Sequence, residues 1–166
     1  MASPRVYLFR HGRVETSDPE KLSVEGRLFR DELPRFFATV GVVIDSAFFD
    51  ASVRRCQESL MRLDCAKHGY GVGREARTLN AVLASLNEGT HAVCCRGDSI
   101  ESGQLYHVID FELHTPFELG EHGAAARLAL ADSYHKVYCL EPELGRWRQR
   151  WARRVLTAAS LVTRHE

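Results

Sequence analysis

The chain has 166 residues, 45% of them hydrophobic, with acidic and basic side chains in equal number. That length can bury a sizeable core without staples, and the zero formal charge sets up no global field that would draw the protein to nucleic acid or to a membrane. Five cysteines (Cys56, Cys65, Cys94, Cys95 and Cys139), odd in number and without C-x-x-C spacing, read as buried free thiols in a reducing compartment. No apolar stretch has the length of a signal peptide or a bilayer span, so the expected location is the cytoplasm.

The first predicted element is a strand, Val6 to Phe9, apolar throughout as in a strand covered on both faces. Arg10-His11-Gly12 follows directly, placing a guanidinium and an imidazole at the C-terminal end of that strand, the edge where open α/β sheets bind ligands. Gly12 allows a sharp turn and a close approach of backbone to a ligand. A His there can act as nucleophile or base, and the planar fork of Arg suits phosphate oxygens, so phosphate chemistry is the first inference.

Ser23 is placed to cap a helix running to about Thr39, with Leu28, Phe29, Leu33, Phe36, Phe37 and Val40 on its apolar side and a bend expected at Pro34. Ala47 to Phe49 reads as the next strand, followed by a helix from Val53 to about Lys67 with Leu60, Met61 and Leu63 inward, stopped near Gly69. Residues 69–73 read as a short strand or loop, and Ala76 to Leu86 as a helix carrying Leu79, Val82, Leu83 and Leu86 at helical spacing. Ala92 to Cys95 is a short buried strand and Ser102 to Phe111 a helix. This alternation predicts an α/β fold, a mostly parallel sheet with helices on both faces. Ala124 to Leu130 and Lys136 to Leu140 are expected to pair as an edge hairpin around Asp132-Ser133-Tyr134. Residues 1–142 then form the α/β domain. Residues 143–166 form an amphipathic helix packed on it, with Trp147, Trp151, Val155, Ala158 and Val162 on one stripe and arginines around the rest. A homodimer seam is the second use for that stripe; nucleic acid is disfavoured by the balanced charge elsewhere.

Three segments occur in a telling order: Arg10-His11-Gly12 behind a strand, Leu22-Ser23-Val24-Glu25-Gly26-Arg27 opening a helix, and the strand Phe48-Phe49 leading through Ala51 to Arg55 and Ser59. Their order and spacing resemble the histidine phosphatase superfamily, which includes the phosphoglycerate mutases and the small phosphohistidine phosphatases. In that pattern Arg55 matches the family Arg, Ser59 stands for a Thr, and Ala51 departs from the usual Ser. The resemblance implies a three-layer α/β/α sandwich and covalent catalysis through a phosphohistidine on His11. Arg10, Gly12, Arg55 and Arg96 would bind the phosphoryl group of a phosphorylated small molecule or phosphoprotein, with no cofactor and no metal. A mutase is disfavoured, because the chain between the second helix and Arg96 is too short for the usual substrate lid.

The main departure is Arg96, in Cys94-Cys95-Arg96-Gly97, where the family places its second His. Arg retains charge and hydrogen bonding but cannot supply a neutral imidazole, which keeps open a catalytically degenerate, anion-binding or regulatory alternative. A competing register puts the second His at His122, in Glu121-His122-Gly123, although the residues before it are not a continuous apolar run. His165 is a weaker third candidate. Glu75 occupies the place of the family's proton donor, and Glu88, in Leu86-Asn87-Glu88, imitates a mutase motif; either carboxylate is also what the start or end of a helix ordinarily carries. Asp98 is a further acidic neighbour. His107 and His114 have no Cys or carboxylate at ligand spacing, and Arg96-Gly97-Asp98-Ser99 matches an adhesion motif only by coincidence.

Overall fold

A computed structural model describes residues 3–72, 77–101, 108–111 and 134–156. The elements are β1 (Arg5–Arg10), α1 (Val24–Val40), β2 (Ser46–Asp50), α2 (Arg54–Ser59), β3 (Ala66–Tyr70), α3 (Leu79–Ser85), β4 (Thr90–Cys95), α4 (Gly97–Glu101), β5 (Ile109–Asp110), β6 (Lys136–Glu143) and β7 (Arg146–Arg154). Among the described residues the strands form one seven-stranded sheet in the order β3-β2-β4-β1-β6-β7-β5. β1, β2, β3 and β4 run parallel, and among the described strands β6 alone is antiparallel to the neighbours on both its sides.

Side chains alternate across the sheet and divide the core in two. Val6 and Leu8 face a layer with Leu79, Val82 and Leu83 of α3 and Ile100 of α4. Tyr7 and Phe9 face the opposite layer, with Leu28, Phe29, Leu33 and Phe37 of α1 and Cys56 and Leu60 by α2. Both faces of β1 are therefore buried, as its unbroken apolar run requires. The result is the expected three-layer α/β/α sandwich with a mostly parallel sheet. Ser23 caps α1 by accepting from the Gly26 amide, and the helix runs through Pro34 to a left-handed Gly41. No helix of the described residues is long and apolar enough to cross a membrane. All five cysteines are unbonded, four of them buried and Cys65 half-buried.

Four expectations are corrected. The helix predicted over Val53 to Lys67 ends at Ser59; a turn leads into β3, which occupies Ala66–Tyr70, and Met61 is exposed while Leu60 and Leu63 are buried. Within the span predicted as a helix from Ser102 to Phe111, Ile109–Asp110 is a strand paired in parallel with β7. Lys136 to Leu140 does lie in a strand, but its hairpin partner is β7; Ala124 to Leu130 fall outside the described residues.

The largest correction is β7, a strand where the Trp and Arg spacing predicts an amphipathic helix over 143–166. The register explains the misleading spacing: Cys139 pairs with Trp151 while Leu140 pairs with Gln149, so Arg150 is the extra residue of a β-bulge. The bulge reverses the alternation. Trp147 therefore packs in the α3 layer and Trp151 against the α1 layer, although residues four apart in a regular strand would share a face. Because this segment is the seventh strand of the sheet, its Trp stripe is not available as a helical dimer seam.

Candidate active site

β1, β4 and β2 lie side by side and parallel, so their C-terminal ends open on one edge of the sheet: Arg10 is level with Cys95, and Phe49, just before Asp50, with Cys94. The chain leaves β1 still tethered to this edge, the His11 amide donating to the Cys95 carbonyl at 3.2 Å. His11 is only 6% exposed. Its Nδ1 lies 2.8 Å from the Gly12 carbonyl, which can only accept, and this assigns the proton to Nδ1. Nε2 is thereby the lone-pair nitrogen, and it makes no hydrogen bond among the described residues. Burial lowers the imidazole pKa to about 4; the nearby Arg10 and Arg55 charges push the same way, opposed by the bond to Gly12. His11 is thus neutral and oriented at pH 7.

Gly12 serves the site through its backbone. Its carbonyl holds His11, and its amide donates to Ser59 Oγ at 3.0 Å. Ser59, fully buried, donates in turn to the Arg55 carbonyl at 2.7 Å, which ties α2 and its arginine to the His11 loop. A Cβ at Gly12 would lie 2.8 Å from the Gly26 backbone, so the residue is required by the approach of α1. With its amide committed to Ser59, Gly12 offers no amide donor to a ligand.

Arg10 is buried, with its guanidinium against Gly97, where any Cβ would collide with it. The same guanidinium stacks on the Tyr134 ring, 3.5 Å from its centroid, and Arg13 approaches that ring at 4.6 Å. The Tyr134 and His11 rings stand edge to face, their centroids 6.0 Å apart. The neighbour of Tyr134, His135, in the left-handed region at φ 61°, accepts from the Arg13 amide at 3.1 Å. Arg55 is largely buried: Nη1 meets Glu20 at 3.4 Å, and Nε is buried without a hydrogen-bond partner among the described residues.

Arg96 follows Cys95 at the same edge, but its side chain is 45% exposed and pairs through Nε with Asp50 at 3.1 Å. Asp50, buried at the end of β2, also accepts from the Ser52 amide at 2.9 Å and from the Ser52 hydroxyl. The edge therefore brings together Arg10, His11 and Arg55, with Arg96 beside them. It does not bring Glu88, which precedes β4 and so lies at the opposite, N-terminal edge of a parallel strand; Glu88 is removed as a candidate. Glu75, His122 and His165 lie outside the described residues, as do His107 and His114, and the Asp98 side chain is likewise undescribed.

Sequence reasoning missed Tyr134, His135 and Asp50. Only Asp50 carried a local signal, an acidic residue closing an apolar strand before a Ser two positions on, as in an Asx turn.

The sheet order, with helices packed on both faces, forms a histidine phosphatase-like fold. In particular, the structure is similar to that of a protein assigned as phosphohistidine phosphatase SixA from Agrobacterium tumefaciens, with a TM-score of 0.53 and 16% identity over 90% of this chain and 96% of that one. It is also similar to one from Nakamurella multipartitia assigned the same name, with a TM-score of 0.55 and 12% identity over 95% of this chain and 99% of that one. By sequence, no protein-family model and no curated protein matches the chain.

Proposed function

We propose that this chain belongs to the histidine phosphatase superfamily and is a metal-independent phosphatase that hydrolyses a phosphomonoester or a phosphohistidine, with His11 as nucleophile. The observation that carries the reading is the state of His11: neutral, its proton held on Nδ1 by Gly12, its Nε2 lone pair uncommitted among the described residues, and two guanidiniums close by. Nε2 attacks phosphorus in line as the bond to the leaving group breaks and that group departs with the electron pair. Arg10 and Arg55 stabilise the equatorial oxygens, an acceptor fitting the buried Arg55 Nε, and Arg96 supplies further donors. Water then attacks phosphorus, the P–N bond breaks, and phosphate leaves. Glu75 is the proposed proton donor to the leaving group.

One observation favours a second reading. The residue in the second-His position is a permanently charged guanidinium tied to a carboxylate, as suits an anion-binding or regulatory module that retains the fold. Turnover of a generic aryl phosphate by the purified protein, abolished in His11→Ala, supports the phosphatase. Binding of phosphate or vanadate without turnover supports the module. Turnover unchanged in His11→Ala overturns the assignment of the nucleophile.

A further inference from the structure

The Arg96 guanidinium is held by one corner. Its Nε is ion-paired with Asp50 Oδ2 at 3.1 Å, while its two terminal amino groups make no hydrogen bond among the described residues. The other carboxylate oxygen is fixed independently, accepting from the amide and hydroxyl of Ser52. A carboxylate with both oxygens committed and 8% of its side chain exposed is a rigid anchor, whereas a free arginine has several rotatable bonds to order when it binds an anion. Anchoring Nε orders that side chain in advance and leaves Nη1 and Nη2, the two parallel donors of one edge of the fork, for a bidentate acceptor. The anchor reaches Arg96 at the strand edge where the Cys95 carbonyl holds the His11 amide.

We propose that Asp50 is a positioning residue: it aims Arg96 so that the terminal amino groups of that side chain grip the oxygens of the bound phosphoryl group, a fixed-charge arrangement standing in for a second histidine. The two residues form one unit, since an Arg without the carboxylate is an unaimed charge and the carboxylate without the Arg is a buried anion lacking its partner. The proposal rests on the reading of the site as an anion pocket that includes Arg96.

The test is a double-mutant cycle on the full chain, with vanadate affinity and aryl phosphate kinetics as readouts. Asp50→Asn keeps an oxygen for the Ser52 amide but removes the charge. Arg96→Lys keeps a charge on a half-exposed side chain, so folding is not at risk, but a lysine cannot bond Asp50 and also present a planar pair of donors. The expected result is a loss of vanadate affinity of roughly tenfold or more in Asp50→Asn, in Arg96→Lys and in Arg96→Ala, with no further loss when Asp50→Asn is added to Arg96→Ala. KM for the aryl phosphate should rise more than kcat falls. Wild-type vanadate affinity in Asp50→Asn beside weakened binding in Arg96→Ala overturns the proposal while leaving Arg96 in the pocket. Tighter binding in Asp50→Asn also overturns it, showing that the carboxylate only offsets the charge. No vanadate binding by the wild-type protein, or none lost in Arg96→Ala, overturns the reading beneath it.

Discussion

The two sides of the candidate site are built by opposite means. On the β1 side, His11 is buried, neutral and held by main-chain groups, Nδ1 on the Gly12 carbonyl and its amide on the Cys95 carbonyl. On the side of β2 and β4, Arg96 is half-exposed, permanently charged and held by a side chain, Asp50. Backbone tethers do not depend on protonation, so they suit a group whose lone pair must be available. An ion pair suits a group whose only task is to hold charge in place. The comparison teaches that the His11 side holds a group able to gain and lose a proton, whereas the Arg96 side holds fixed charge.

The harshest way to break this comparison is to remove His11, the proposed nucleophile. His11→Ala should lower aryl phosphate turnover by roughly 10⁴-fold or more while leaving the circular dichroism spectrum unchanged. A loss of that size in Arg96→Ala, with His11→Ala mild, would reverse the roles of the two sides.

Burial of His11 also sets a pH dependence of stability. The folded pKa of about 4 lies below the unfolded value near 6.5, so between these pH values the unfolded chain binds more protons and stability rises with pH. The contribution is complete above about pH 6.5, falls away toward pH 4, and amounts to at most about 3 kcal/mol. Urea unfolding of wild type and His11→Asn across this range measures it; parallel curves would show that His11 is not desolvated.

Arg96 sharpens the contrast at smaller cost. Arg96→Ala should weaken phosphate binding by about 1.5–3 kcal/mol, measured by calorimetry. Arg96→His should preserve or raise turnover and add an ionisation near pH 6.5 to the rate profile that the wild type lacks. An unchanged profile together with unchanged anion affinity in Arg96→Ala would place residue 96 outside the site.

The smallest effect is expected at Tyr134. Tyr134→Leu removes the ring on which the Arg10 guanidinium stacks and should destabilise the protein by about 1 kcal/mol, whereas Tyr134→Phe keeps the ring and should unfold close to wild type. Equal melting temperatures for all three proteins would show that the stacking contributes nothing.

Much of this architecture is legible locally. The apolar run before Arg10 specifies a strand buried on both faces, and Ser23 three residues ahead of Gly26 specifies the start of α1. The spacing of Arg55 and Ser59 carries them to the first helix after β2, where Ser59 meets Gly12. Each signal lies within a few residues of the element it specifies, because apolar runs, caps and turns act over that range. Arg10, His11, Arg55 and Arg96 could be placed at one edge because parallel strands end together.

What the tertiary structure alone decided depends on residues far apart in the chain. Trp147 and Trp151 satisfy a helical period, but β6 supplies a partner edge and the bulge at Arg150 sends them to opposite layers, so the segment is a strand. Glu88 matches a motif yet falls at the wrong edge, because the direction of β4 in the sheet fixes which end meets His11. Tyr134 reaches Arg10 only after β6 has folded back beside β1. The charge state of His11 and the aim of Arg96 likewise belong to their surroundings: desolvation and ion pairing are properties of what packs around a group, and a sequence names the group without its neighbours.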